Sequence, residues 1–115
     1  MADAPIDLAH LGRYTGGDRT LNTEILKLFD DQVNGVVEQL LTVLEQRDTR
    51  KWREVTHTLK GAARGVGAFA MGEAAAAAEP VDPARSHDRA VQLIEALRVE
   101  GEAVQAFIAE YLAAA

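Results

Sequence analysis

The residues best suited to chemistry lie in one run, Thr56-His57-Thr58-Leu59-Lys60-Gly61-Ala62-Ala63-Arg64-Gly65-Val66-Gly67. Wound as a helix at about 100° per residue, Trp52, Val55, Leu59, Ala62, Ala63 and Val66 gather on one side. His57 falls almost opposite the centre of that arc, with Arg53, Lys60, Gly61 and Arg64 as its outward neighbours. A neutral imidazole nitrogen is a competent nucleophile near physiological pH, since the ordinary histidine pKa is about 6.5. Positive neighbours disfavour a further positive charge on the ring. Lys60, three residues on, lies within side-chain reach and offers an ammonium to anionic oxygens. Arg53 and Arg64 add longer-range attraction for an anion or an acidic partner. Gly61 is the sharper clue: a glycine inside a helix costs about 1 kcal/mol relative to alanine. Its use on this face is clearance, so that a partner's backbone can approach the imidazole.

The other candidate groups are bland by comparison. An exposed histidine is ordinarily a solvated side chain, and His10 and His87 have no Lys-Gly companion. Three dispersed histidines without cysteine do not make a metal site. Trp52 lies within the apolar arc and reads as core.

The elements that must hold His57 follow from composition and periodicity. The chain has 115 residues, which fits one domain over 1–115. Its 48% hydrophobic and 26% charged residues argue against disorder. Cysteine is absent, which removes disulfide and thiolate chemistry. A net charge of -6 makes nucleic acid a poor partner. The longest uncharged stretch, Gly65 to Gly72, is far too short for a membrane span. Met1-Ala2-Asp3-Ala4-Pro5 lacks the basic and apolar segments of a leader peptide. These features lead us to expect a soluble, cytoplasmic, monomeric protein.

Alanine is abundant and the apolar period is helical throughout. A short helix around Ile6–Leu11 runs into Gly16-Gly17. A second is expected from about Asp18 to Gln46, with Asp18 or Thr20 as its cap. Asp48 can cap a third, which carries His57 and ends near Gly65 or Gly67. A fourth spans roughly Ala68 to Glu79. Pro80-Val81-Asp82-Pro83 reads as a stop and restart, with Asp82 as cap and Pro83 as first helical residue of a helix reaching about Leu112. In that last helix Ala90, Ile94, Leu97, Gly101, Val104, Ile108 and Tyr111 recur at alternating spacings of four and three, the signature of lengthwise packing. The fold class expected is all-α, an antiparallel four-helix bundle with a short additional N-terminal helix.

The string His57-Thr58-Leu59-Lys60-Gly61-Ala62-Ala63, followed by Val66-Gly67, resembles the motif of the histidine-containing phosphotransfer (HPt) domain family. The early Gly16-Gly17-Asp18 break, the long second helix, Asp48 and the alanine-rich fourth helix extend the resemblance over essentially the whole chain. It implies a carrier that holds a phosphoryl group on the outer ring nitrogen of His57 and passes it between receiver-domain aspartates in a multistep phosphorelay. By the same resemblance Lys60 stabilises the phosphoryl oxygens and Gly61 leaves room for the receiver. The implied partners are receiver domains of response regulators or hybrid histidine kinases. No cofactor is implied on this chain, Mg²⁺ being expected on the receiver. The chain lacks the glycine-rich loop that cradles a nucleotide phosphate, so no autonomous kinase activity is expected.

Some family members orient the histidine with a glutamine on the following helix. This chain offers Glu73 and Glu79 there, and sequence alone assigns neither. If the second and third helices are antiparallel about their short turn, His57 lies level with Asn34 to Glu38, and Asn34, Val37 and Leu41 then join Arg53 and Arg64 at the docking site. Leu41 lies on the polar side of its helix. A module that docks receiver or kinase domains without carrying phosphate is the alternative reading. A module attached to a chemotaxis kinase is a third, and a free-standing carrier fits better than that.

Overall fold

A computed structural model describes residues 4–114. The first three residues of the segment read above as having no leader, Met1 to Asp3, lie outside them, as does Ala115. Six helices follow in order: α1 (Leu8–Thr15), α2 (Arg19–Val33), α3 (Val36–Gln46), α4 (Thr49–Val66), α5 (Phe69–Ala78) and α6 (His87–Ala113). With α2 and α3 as two halves of one broken rod, α2/α3, α4, α5 and α6 form an antiparallel four-helix bundle, and α1 rests against α2 and α4.

Each start has a local cause. Asp7, Asp18 and Asp48 accept hydrogen bonds from the backbone N–H of His10, Leu21 and Lys51 at 3.0–3.1 Å, satisfying donors that the first helical turn leaves free. Asp7 caps α1, so this helix begins after the expected Ile6. Ile6 is instead buried beside it at 1% exposure.

The expected continuous helix from Asp18 to Gln46 is interrupted. Asn34 is extended and Gly35 takes φ 83°, left-handed geometry that glycine adopts without strain. The break preserves the phase of the apolar face: Leu26, Phe29, Val33, Val36, Leu40 and Val43 are all buried across it. The start of α6 also differs. Asp82 does not cap it, because its carboxylate accepts from the Thr49 hydroxyl at 2.8 Å and the Ala84 N–H at 2.9 Å. Pro83 is buried in the resulting turn, and the helix starts at His87.

The core runs the length of the bundle. Trp52 is fully buried and donates its Nε1–H to the Ala78 carbonyl at 2.8 Å, tying α4 to α5. The α6 seam is buried from Ala90 through Ile108, while Tyr111 is partly buried under Arg19, whose guanidinium lies 4.0 Å from the ring centre. Small residues set the spacing. A β-carbon at Gly101 would meet Val33 at 3.3 Å, and one at Gly72 would meet the Arg64 stem at 3.1 Å. Ala75 and Ala78 are fully buried against these neighbours, so α5 lies close along α4.

Gly67, not Gly65, closes α4. It has φ 91°, and a β-carbon there would sit 2.7 Å from the Asp7 carbonyl oxygen. The Asp7 N–H donates to the Gly67 carbonyl at 2.9 Å, fastening the N-terminal segment to the end of α4. Gly65 is helical with open space around it. Alanine at these two positions therefore acts in opposite directions. Gly65→Ala should raise stability by about 0.5–1 kcal/mol, and Gly67→Ala should lower it by about 2 kcal/mol or more. Urea melts of the two variants check this, and a stabilised Gly67→Ala would contradict the helix end described.

Candidate functional site

Thr56 and Leu59 anchor α4 on its inner side. Thr56 is fully buried and its hydroxyl donates to the Trp52 carbonyl at 2.9 Å, while Leu59 is 1% exposed. His57 projects between these anchors to the outside, its side chain 70% exposed. Lys60 lies one turn on and is mostly covered, at 23%.

Glu79 closes α5 and meets both. Its carboxylate accepts from His57 Nδ1 at 2.9 Å and from Lys60 Nζ at 2.8 and 3.0 Å. A carboxylate at a helix C-terminus faces the negative end of the helix dipole, which disfavours it. Two donors from the neighbouring helix offset that cost. They also hold the Glu79 carboxyl below its ordinary range, first through the hydrogen bond from Lys60 and then through that from His57, against the opposing pull of partial burial. The group is therefore ionised and acts only as an acceptor. In the neutral ring the proton must then sit on Nδ1, which leaves the Nε2 lone pair available on an exposed side chain.

This carboxylate is the partner of His57 that sequence reasoning left unassigned. Glu73 is not involved; it lines a separate groove with Phe69, Ala70 and Phe107. A signal for Glu79 existed in the numbering. His57 lies eleven residues before Ala68 and Glu79 eleven after it. Residues equidistant from the turn of a tight antiparallel hairpin sit level with one another.

Gly61 is exposed, and a β-carbon there would meet nothing within 4 Å. Its own fold places no demand for glycine at this point, so the open space faces outward beside the ring. Arg53 joins Thr49, Arg50, Glu54, His57 and Glu79 around a shallow depression of about 560 Å³. Arg64 is exposed two turns beyond His57, its stem lying against Gly72. Asn34 and Val37 are not gathered with these residues: they line a groove between α3 and α6, beside Leu97 and Gly101. Leu41 is 43% exposed and borders neither that groove nor the depression. His10 is wedged between the rings of Tyr14 and Phe69, and His87 is exposed at the start of α6. Among the described residues, no three metal-ligating side chains converge.

A family model described as the Hpt domain matches residues 24–111. The chain belongs to the Hpt domain family. The match covers the bundle from α2 to α6, with His57, Lys60 and Glu79 inside it, and leaves α1 outside. No curated protein and no solved structure matches the chain. Hpt domains serve histidine phosphotransfer in phosphorelays, as phosphocarriers and not kinases, and they interact with receiver domains. The imidazole of His57 in this Hpt domain is exposed, with Nδ1 hydrogen-bonded to Glu79.

Two consequences of the Glu79 contacts are measurable. Nitrogen-15 NMR should report His57 protonated at Nδ1, and Glu79→Ala should shift the tautomer toward Nε2–H. Because the folded-state carboxyl is lowered, its contribution to stability is present above the ordinary carboxylate range and lost as pH falls through the lowered value. The gap in melting temperature between wild type and Glu79→Ala should therefore narrow in acid. A gap that widened in acid would contradict the ionised pairing.

Proposed function

We propose that this Hpt domain carries a phosphoryl group on Nε2 of His57 between receiver-domain aspartates of a two-component, multistep phosphorelay. The Nε2 lone pair attacks the phosphorus of an aspartyl phosphate. The P–N bond forms, the P–O bond to the aspartate breaks, and the electron pair leaves on the aspartate carboxylate. The ring now holds phosphorus at Nε2 and a proton at Nδ1, so it bears positive charge. Glu79, 2.9 Å from Nδ1, stabilises that charge. Transfer onward reverses these steps, with a second aspartate oxygen as nucleophile.

Lys60 has three N–H donors and spends two contacts on Glu79. Its third donor is left for the oxygens of the added phosphoryl group. Mg²⁺ belongs to the receiver in this scheme, and this chain binds no nucleotide. The partners are receivers of response regulators or hybrid histidine kinases, met in the cytoplasm by a monomeric carrier. Among the described residues, no helix is long and apolar enough to cross a membrane. The observation that carries the proposal is the ring's arrangement: Nδ1 held by an ionised carboxylate, Nε2 free and exposed. A docking module that never carried phosphate would need none of it.

Incubation with phosphorylated receivers should label the chain with acid-labile, base-stable phosphate. His57→Gln should stay folded, since the side chain is largely exposed and Lys60 still holds Glu79, and lose all label; undiminished labelling of that variant overturns the proposal. Gly61→Gln separates stability from docking. The variant should be more stable by about 0.5–1 kcal/mol through helix propensity, while transfer slows because the new side chain fills the approach. Equal transfer rates would remove the clearance role assigned to Gly61.

A further inference from the structure

The carrier site sits in an unusual charge environment. Helix α4 holds five of the chain's twelve lysines and arginines and one acid, Glu54. It nets +4 in a chain that nets -6, so everything outside it nets -10. The outward members form a line along the helix: Arg50, Arg53, His57, Gly61 and Arg64, at spacings of three, four, four and three. From Arg50 to Arg64 the helical rise is about 21 Å, and His57 lies at the midpoint of the line.

The first two arginines of the line are not placed for the stability of their own helix, whereas Arg64, in the last turn, stands at the end that favours a cation. Arg50, Lys51 and Arg53 occupy the first turns of α4, beside the positive end of its dipole, and no acid lies in that first turn. Nor are they used internally. Among the described residues, neither Arg53 nor Arg64 has a carboxylate within ion-pair distance, and Arg50 reaches Glu54 only at 3.7 Å between two exposed side chains. Lys60 is the α4 cation with a close, partly buried partner.

We infer that Arg50, Arg53 and Arg64 form an electrostatic docking strip for an acidic protein surface surrounding the partner's phosphorylated aspartate. The inference rests on the carrier reading above. The depression beside His57 carries Glu54 and Glu79 as well as Arg50 and Arg53; the two arginines meet an acidic side chain on the rim of the partner, and Arg64 meets a second acid beyond Gly61. Contacts on both sides of the ring fix the rotation of the partner about His57, which a single contact would leave free. A patch this short, within a surface otherwise strongly negative, suits a small acidic face. An extended polyanion or a lipid sheet would meet the surrounding -10 as well.

The test uses the full chain and a phosphorylated receiver domain that labels the wild type, with initial transfer rates measured across ionic strength. Arg53→Glu and Arg64→Glu should each slow transfer about fivefold or more at low salt, with the difference shrinking at high salt as screening shortens. Lys27→Glu, an equal charge change at an exposed site on α2, should stay within about twofold of wild type. Wild-type rates in Arg53→Glu and Arg64→Glu, or equal slowing in Lys27→Glu, would overturn the strip while leaving the carrier reading intact. Failure of every receiver to label the wild type would instead overturn the carrier reading. Wild-type chain sedimenting with phosphatidylserine vesicles, and released by the same two reversals, would reassign the strip to a membrane.

Discussion

Glu79 accepts hydrogen bonds from both His57 and Lys60, and in doing so joins the end of α5 to two successive turns of α4. Its ionised state determines which ring nitrogen is protonated and which is free. It also absorbs much of the lysine's charge, so the ring sits beside a compensated pair and not beside a bare cation. The positive surroundings expected from sequence are therefore divided: Lys60 is paired inward, while Arg53 and Arg64 face outward. All of this requires α5 to lie close to α4, which Gly72, Ala75 and Ala78 permit by having almost nothing to interpose.

Charge placement where α5 ends beside the start of α4 runs against local helix energetics. Glu79 stands where α5 would favour a cation, and Arg50 and Arg53 stand in the first turns of α4, where that helix would favour acids. Local rules of stability are most readily broken where a site demands it. Elsewhere the chain obeys them, with aspartates at three helix starts and left-handed glycines after α1 and α4.

Much of this was legible in the residues themselves. Asp18 and Asp48 cap as their types suggest, the α6 seam from Ala90 to Ile108 is buried as its spacing requires, and His57 points outward from the arc that contains Trp52 and Leu59. What was not legible has particular causes. The break at Asn34-Gly35 is silent in the hydrophobic pattern because Val33 and Val36 keep the phase. Asp82 has the look of a cap, but the Thr49 hydroxyl, distant in sequence, claims it. Asn34 and Val37 face α6 because the break and the packing of α3 turn them there, a rotation that level-counting along an antiparallel pair does not register. Glu79 escaped assignment because its partners are on another helix, and only the symmetry of the hairpin about Ala68 connects them.

That symmetry has a genetic corollary. The segment from Gly67 to Glu79 works as a counted ruler, and adding or deleting one residue would swing the carboxylate about 100° around α5. Such a change leaves amino-acid composition, overall hydrophobicity and the family signature at residues 57–61 nearly untouched. Two homologues with the same histidine motif but hairpins of different length would thus differ in whether the imidazole is held or free to spin, and reading the motif alone would not tell them apart.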